Sequence, residues 1–130
     1  MEFPADLRYS SDHEWARRDG DRVVVGITDY AQDALGDVVY VELPAVGTRT
    51  VSGSSFSEIE STKSVSDLYA PVDGRIAEVN EALGDAPELV NEDPYGRGWI
   101  CIIEVTDPAG LDAALAELLD ADAYRALVEG

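Results

Sequence analysis

Residues 58–75 read EIESTKSVSDLYAPVDGR, and this stretch does most to predict the fold. Two short segments of mixed polarity, residues 56–61 and 65–69, have the length and composition of paired strands. The letters STKS separate them, and the APVDG that follows is a clear turn signal. No Asn-Gly or Asp-Gly pair marks the connection itself. We therefore expect a β-hairpin with Lys63 at or near its tip.

Lys63 is the only lysine in the chain, whereas the other eight basic residues are arginines. A genome that prefers arginine codons explains the general depletion of lysine, but it does not explain where the one lysine lies. Only lysine offers an amine that can be acylated near neutral pH. Nearby carboxylates should keep this amine protonated, which argues against a Schiff-base lysine with a depressed pKa. An acyl arm needs a projecting amine without a competing lysine, and Lys63 fits that need.

Outward from the hairpin, β-branched runs predict further strands and leucine spacing predicts a helical tail. The predicted strands are residues 22–28, 37–43, 75–80 and 99–105. Asp29 should cap a short internal helix that ends at Leu35, with Gly36 as its left-handed stop. Many short strands separated by Gly and Pro turns are typical of a small barrel or sandwich. The fold class is therefore mainly β.

The end of the chain is predicted to be helical. Pro108 follows a possible capping Asp107, and leucines recur at helical spacing from Leu111. Asp120 could begin a second short helix. Its inward-facing residues would be Tyr124, Leu127 and Val128.

The composition excludes several classes of function. The chain has 130 residues and a formal net charge of −18, so it would repel nucleic acid and anionic membranes. Apolar residues make up 45 %, which is enough to bury a core. One cysteine permits no internal disulfide, and one histidine permits no zinc cluster of Cys and His. With no leader or membrane-spanning run visible, we expect a soluble bacterial cytoplasmic protein.

No catalytic constellation is visible in the sequence. Cys101 lies in an apolar strand and far from His13, so a buried, inert thiol is the better interpretation. The motif His13-Glu14-Trp15 is compact, and two interpretations of it stay open. Trp15 could be a core residue beside two polar ones, or Glu14 could line a groove that holds a cation.

Four stretches together resemble the glycine cleavage system H protein family. They are HEW (13–15), GITDYAQDALGDVVYVELPAVGT (26–48), EIESTKSVSDLYAPVDGRIAEVNEAL (58–83) and LVNEDPYGRGWI (89–100). The resemblance implies a barrel-sandwich hybrid of the lipoyl and biotinyl type, with a short internal helix and a C-terminal helical segment. It also implies lipoic acid joined through an amide to Lys63, and a carrier that is not itself an enzyme.

The domain boundaries follow from the same resemblance. One lipoyl-carrier domain should cover residues 1–130, with a lipoyl hairpin at about 56–70 and a C-terminal helical segment at about 108–129. Glu14, Ser66 and Asp67 are the residues expected to line a cleft for the arm. Two departures from the family pattern are local: Ser64 stands where alanine is usual, and residues 101–103 are unusually apolar.

Four partners are implied by the resemblance. The arm would take an aminomethyl group from the P protein, a pyridoxal-phosphate glycine decarboxylase. It would pass the one-carbon unit through the T protein, an aminomethyltransferase, to tetrahydrofolate. The L protein, a dihydrolipoamide dehydrogenase, would reoxidise the dithiol. A lipoyl or octanoyl transferase, or a lipoate ligase, would attach the arm.

Other carriers remain as alternatives at this point. A biotin carrier usually has methionine on both sides of its lysine, whereas Thr62 and Ser64 flank Lys63. A lipoyl domain of a 2-oxoacid dehydrogenase would lack the HEW start and the helical tail. A stand-alone lipoate relay, or an acidic interaction module with an unmodified lysine, is compatible with the same residues.

Overall fold

Nine β-strands form two sheets in the computed structural model, which describes all 130 residues. The strands are β1 (Arg8–Tyr9), β2 (Glu14–Asp19), β3 (Arg22–Ile27), β4 (Val38–Val41), β5 (Arg49–Thr50), β6 (Ser55–Ser61), β7 (Val65–Tyr69), β8 (Gly74–Val79) and β9 (Cys101–Val105). The six-stranded sheet has the order β1-β2-β3-β9-β8-β5, and the three-stranded sheet has the order β4-β6-β7. Every pairing is antiparallel. The prediction of a mainly β protein is confirmed.

The helices are short and connect or cover the sheets. They are α1 (Asp29–Leu35), α2 (Ala82–Asp85), α3 (Leu89–Glu92), α4 (Leu111–Ala116) and α5 (Ala121–Glu129), with a 3-10 turn over Pro108–Gly110. The N-cap of α1 is Thr28, whose hydroxyl accepts a hydrogen bond from the amide of Ala31 at 3.1 Å. The sequence prediction of Asp29 as the cap was wrong by one residue. Asp29 instead accepts from the side chain of Gln32 at 2.8 Å.

The central strand β3 is buried on both faces, which explains its continuous run of valines. Val23, Val25 and Ile27 face the main core of 18 buried residues. Val24 lies on the opposite face, in a second cluster of six that includes Trp15 and residues of both chain ends. The six-stranded sheet therefore has apolar clusters on both of its faces.

Several local predictions differ from the structure. Strand β2 was not predicted, because only its first three residues are buried and the polar remainder hides any alternation. Asp107 accepts no side-chain capping bond, and a 3-10 turn precedes α4. Leu127 is half exposed rather than inward-facing, since α5 buries only Tyr124 fully.

None of these helices has both the length and the apolar character needed to span a membrane.

Candidate functional site

The hairpin of β6 and β7 holds Lys63 in the turn between its strands. The last paired residues are Glu60 and Val65, and Lys63 is exposed beyond them. The hydroxyl of Ser61 accepts hydrogen bonds from the amides of Lys63 and Ser64, both at 3.1 Å. The Ser61 amide donates to the carbonyl of Ser64 at 2.8 Å, which closes the turn. The side chain of Ser61 therefore stabilises a turn that has no Asn-Gly or Asp-Gly pair.

The turn is also fixed to the rest of the protein. The amide of Thr62 donates to the carbonyl of Asp37 at 3.0 Å, just after α1 ends. Asn91 binds the segment between α1 and β4. Its side-chain nitrogen donates to the Gly36 carbonyl at 2.8 Å, and its side-chain oxygen accepts from the Val38 amide at 2.9 Å. Lys63 therefore projects from a braced scaffold.

The side chain of Lys63 lies across Gly36. A Cβ at Gly36 would be only 2.7 Å from Cε of Lys63. No ion pair or side-chain hydrogen bond holds the amine of Lys63. The stem is thus in contact with the end of α1, while the amine has no hydrogen-bond or ion-pair partner in the protein.

Replacing Gly36 with alanine is expected to destabilise the fold and displace the Lys63 stem. Gly36 has φ 79° and ψ −158°, a region of backbone space that is almost exclusive to glycine. Strain of that kind costs about 1–3 kcal/mol. Urea denaturation should show this loss for Gly36→Ala. The matched variant Gly84→Ala has no atom within 4 Å of its new Cβ and should be close to neutral. Equal stability of the two variants would contradict the prediction.

A cleft of about 390 Å³ begins beside the lysine turn and runs between α1 and β7. Tyr30, Ala31 and Ala34 line it from α1, and Ser64 lines it next to Lys63. A somewhat larger cavity of about 430 Å³ lies under α4 and contains no residue of the hairpin turn. The cleft beside the turn is therefore the one that an arm on Lys63 would enter.

The structure places two of the three expected cleft residues in this cleft. Ser66 and Asp67 line it from β7. Glu14 does not line it: its side chain is 1 % exposed and borders a separate cavity of about 260 Å³. Asp12 borders both cavities and so stands between them.

Glu14 is a buried carboxyl with two hydrogen-bond partners. Its Oε1 accepts from the Ser10 hydroxyl at 2.6 Å, and its Oε2 accepts from the amide of Tyr69 at 3.2 Å. Burial raises the pKa of Glu14 to about 7, an effect that outweighs the opposing influence of the two hydrogen bonds. The Glu14 carboxyl is thus bound to the backbone of Tyr69, a residue that lines the cleft, but it does not reach the cleft itself.

Sequence reasoning did not identify Asp12, His13, Tyr30 or Tyr69 as cleft residues, although all four line it. His13 belongs to the HEW motif and Asp12 directly precedes it, and that position was the available signal. His13 also has a φ of 72°, which is unusual for a residue with a side chain. A single sequence gives no indication of that backbone geometry.

The structure contains neither an exposed thiol nor a cluster of metal-binding side chains. Cys101 is fully buried, and burial raises the pKa of its thiol to about 12. The interpretation of Cys101 as an inert thiol agrees with this environment. No cluster of three or more His, Cys, Asp or Glu side chains is arranged to hold a metal ion.

Comparisons with known proteins identify the family. The family model described as "Glycine cleavage H-protein" matches residues 7–130. A glycine cleavage system H protein of Anaeromyxobacter sp. (strain K) is 59 % identical over 129 residues, covering 99 % of this chain and 98 % of its own. One from Mycobacterium tuberculosis (strain ATCC 25618 / H37Rv) is 59 % identical over 127 residues, covering 95 % of each.

A solved structure gives the same result for the fold. The crystal structure of a glycine cleavage system H protein from Mycobacterium marinum superposes with a TM-score of 0.87 at 43 % identity, covering 98 % of this chain and 99 % of that one. This match confirms the predicted barrel-sandwich hybrid fold. The chain therefore belongs to the glycine cleavage H-protein family, the lipoyl carriers of the glycine cleavage system.

Proposed function

We propose that Lys63 carries lipoic acid in amide linkage and that the arm shuttles the aminomethyl cargo and reducing equivalents among the P, T and L proteins. The observation that carries the proposal is the position of the chain's one lysine. Lys63 is exposed in a braced hairpin turn, and its neighbour Ser64 lines the mouth of a cleft. When attached, the lipoyl group would supply a disulfide that accepts electrons and the one-carbon cargo.

The cleft has dimensions and lining that fit such an arm. The α1 side presents Ala31 and Ala34, small apolar residues that leave room for a hydrocarbon chain. The β7 side presents Ser66 and Asp67, which can hydrogen-bond to a cationic amine at the end of the arm. Enclosure between these walls would limit the access of water to a hydrolytically fragile cargo.

Glu14 is included in the proposal as the buried member of this site. Its carboxyl is hydrogen-bonded to the amide of Tyr69, which lines the cleft. Asp12 lies between the cleft and the separate cavity that Glu14 borders. A cation arriving near Asp12 would favour the ionised form of Glu14, because opposite charges lower the pKa of a carboxyl. Asp12, Glu14 and Asp67 would then surround the cargo with negative charge.

The role of the chain is that of a carrier and not of a catalyst. We propose residues 1–130 as one lipoyl-carrier domain, with the lipoyl hairpin at about 56–70 and the helical segment at about 108–129. A lipoyl or octanoyl transferase, or a lipoate ligase, would attach the arm to Lys63. A net charge of −18 favours association with enzymes that offer basic surfaces. The bacterial sources of its relatives support a place in the cytoplasm.

Intact mass and peptide mapping test the attachment. Protein produced together with a lipoylating enzyme should gain about 188 Da, the mass of a lipoyl amide, on the peptide that contains Lys63. A biotinyl adduct would favour a different carrier class. No adduct at all, under conditions that modify an authentic lipoyl carrier, would contradict the proposal. Glycine decarboxylation with the P, T and L proteins then separates a cleavage-system carrier from a stand-alone lipoate relay.

A further inference from the structure

Three side chains form a hydrogen-bonded chain behind the cleft wall. Nδ1 of His13 lies 2.8 Å from the hydroxyl of Tyr124, which lies 2.7 Å from the hydroxyl of Thr28. The Thr28 hydroxyl also accepts from the amide of Ala31. Thr28 and Tyr124 are 0 % exposed. The chain thus connects the C-terminal helix α5 to the N-terminus of α1 and to His13 on the cleft wall.

Counting donors and acceptors shows which group donates in each of these hydrogen bonds. The Thr28 hydroxyl already accepts from Ala31, and Tyr124 is its only other partner. Thr28 must therefore donate to Tyr124, or its buried proton has no acceptor. Tyr124 then donates its own proton to Nδ1 of His13. Burial raises the pKa of Tyr124 to about 12, so this hydroxyl keeps the proton that it donates.

This direction determines the state of the imidazole. An Nδ1 that accepts a hydrogen bond carries no proton, so a neutral His13 must have its proton on Nε2. Protonating Nδ1 would reverse the Tyr124 hydroxyl and leave the Thr28 proton without an acceptor. No protein hydrogen bond uses Nε2. That nitrogen is free to donate to a molecule in the cleft.

We propose that Tyr124 is a positioning residue that holds His13 in its neutral Nε2–H form on the cleft wall. The proposal deepens the proposed function, because it concerns how the same cleft receives a cationic cargo. An imidazolium would repel that cargo, whereas a neutral imidazole offers a hydrogen-bond donor without a positive charge. His13 is held there with a strained positive φ, and its backbone carbonyl accepts from the Thr28 amide at 3.1 Å.

The charged groups around His13 act against this neutral state. Asp12 is adjacent in the chain, and Asp67 lines the same cleft from β7. Both carboxylates favour an imidazolium. Tyr30 faces the ring from α1 at 4.9 Å between centroids, and Tyr124 faces it from α5. Burial lowers the pKa of His13, with Asp12 opposing the effect. The hydrogen bond from Tyr124 adds to burial in keeping His13 neutral.

Nitrogen NMR of the imidazole tests the proposal directly, because His13 is the only histidine in the chain. Long-range proton–nitrogen correlation spectra of unmodified, ¹⁵N-labelled protein distinguish the two tautomers. Wild type should show one tautomer, with Nδ1 unprotonated and Nε2 protonated, and should titrate below the ordinary histidine range. Tyr124→Phe keeps the ring that stacks on Tyr9 and removes only the hydroxyl. It should mix the tautomers and raise the titration midpoint.

Tyr9→Phe is the matched control. It removes a hydroxyl that donates to the Pro4 carbonyl at 2.6 Å. This hydroxyl belongs to the same aromatic cluster but takes no part in the hydrogen bonds that join His13, Tyr124 and Thr28. Its tautomer and midpoint should equal those of wild type. A wild-type imidazole protonated on Nδ1 would by itself overturn the proposal. An imidazole spectrum of Tyr124→Phe identical to that of wild type would also overturn it. Absence of lipoate on Lys63 would overturn the proposed function but would leave these spectra unaffected.

Discussion

Replacing Lys63 with arginine should reduce both lipoylation and glycine decarboxylation to background while leaving the fold intact. Arginine keeps the positive charge and a similar stem, but its guanidinium is not acylated by an enzyme that modifies an amine. Lys63 is exposed and makes no side-chain hydrogen bond or ion pair, so stability should change by less than about 0.5 kcal/mol. Thermal denaturation, intact mass and a reconstituted assay with the P, T and L proteins measure the three quantities.

A second variant separates the position of the amine from its mere presence. Arg49 is exposed on the short strand β5, away from the hairpin turn. The double variant Lys63→Arg, Arg49→Lys keeps the net charge and the count of one lysine. We expect neither lipoate nor activity in it, because a carrier needs its amine in the turn that opens into the cleft. Activity in either variant would show that the carrier mechanism through Lys63 is wrong.

The hairpin could be predicted because its signals are local. The strand segments on either side of Lys63 pair with their sequence neighbours, so composition and spacing over fifteen residues were sufficient. The scarcity of lysine was visible from the sequence alone. The outline of a mainly β fold was predictable for the same reason, since the predicted strands lie next to Gly or Pro turns, whereas the short strands β1 and β5 and the largely polar β2 gave no such signal.

The environment of Glu14 could not be predicted, because it depends on distant partners. The Tyr69 amide that binds its carboxyl is 55 residues away, and the Tyr124 hydroxyl that binds His13 is 111 residues away. A sequence pattern shows which residues are polar, but it does not show which loops come together to bury them. The resemblance implied that Glu14 lines the cleft, whereas in the structure its carboxyl is buried and borders a separate cavity.

The helix ends show a different limit. Thr28 and Asp29 are both good N-cap residues, so the sequence could not choose between them. The choice depends on tertiary contacts, because Thr28 is buried against Tyr124 whereas the Asp29 carboxyl accepts from the backbone amide of Glu2. Leu127 has correct helical spacing for burial, but α5 packs through the narrow stripe around Tyr124. Periodicity predicts a helix better than it predicts how much of the helix is covered.

The stability of the wild-type protein should fall as the pH rises from about 4.5 to about 7, and Glu14→Gln should abolish that part of the dependence. The folded protein holds a proton on Glu14 up to about pH 7, whereas the unfolded chain releases it near the ordinary value of 4.5. The folded state therefore binds more protons across this interval, and stability decreases with increasing pH. Below this pH interval Glu14 is protonated in both the folded and the unfolded protein, and above it Glu14 is ionised in both.

The expected difference is large for one side chain. An interval of about 2.5 pH units corresponds to about 3 kcal/mol, since each unit is worth about 1.4 kcal/mol. Glutamine is neutral, like the protonated carboxyl, and its oxygen can accept a hydrogen bond from the Tyr69 amide or from the Ser10 hydroxyl. Urea denaturation at pH 8 should therefore show Glu14→Gln to be more stable than wild type by about that amount. Near pH 4.5 the two should be equal.

The comparison between variant and wild type also removes the contribution of His13. Its lowered pKa makes stability fall as the pH drops below 6.5, in the opposite direction, but equally in both proteins. Glu58→Gln is the matched control, because it makes the same substitution at an exposed position of β6 and should not reproduce the gain in stability at pH 8. If Glu14→Gln were the less stable protein at pH 8, the ionised carboxylate would be a structural hydrogen-bond acceptor. The expected result instead means that the fold retains a buried acid at a cost to its stability, as a site for a cationic cargo would require.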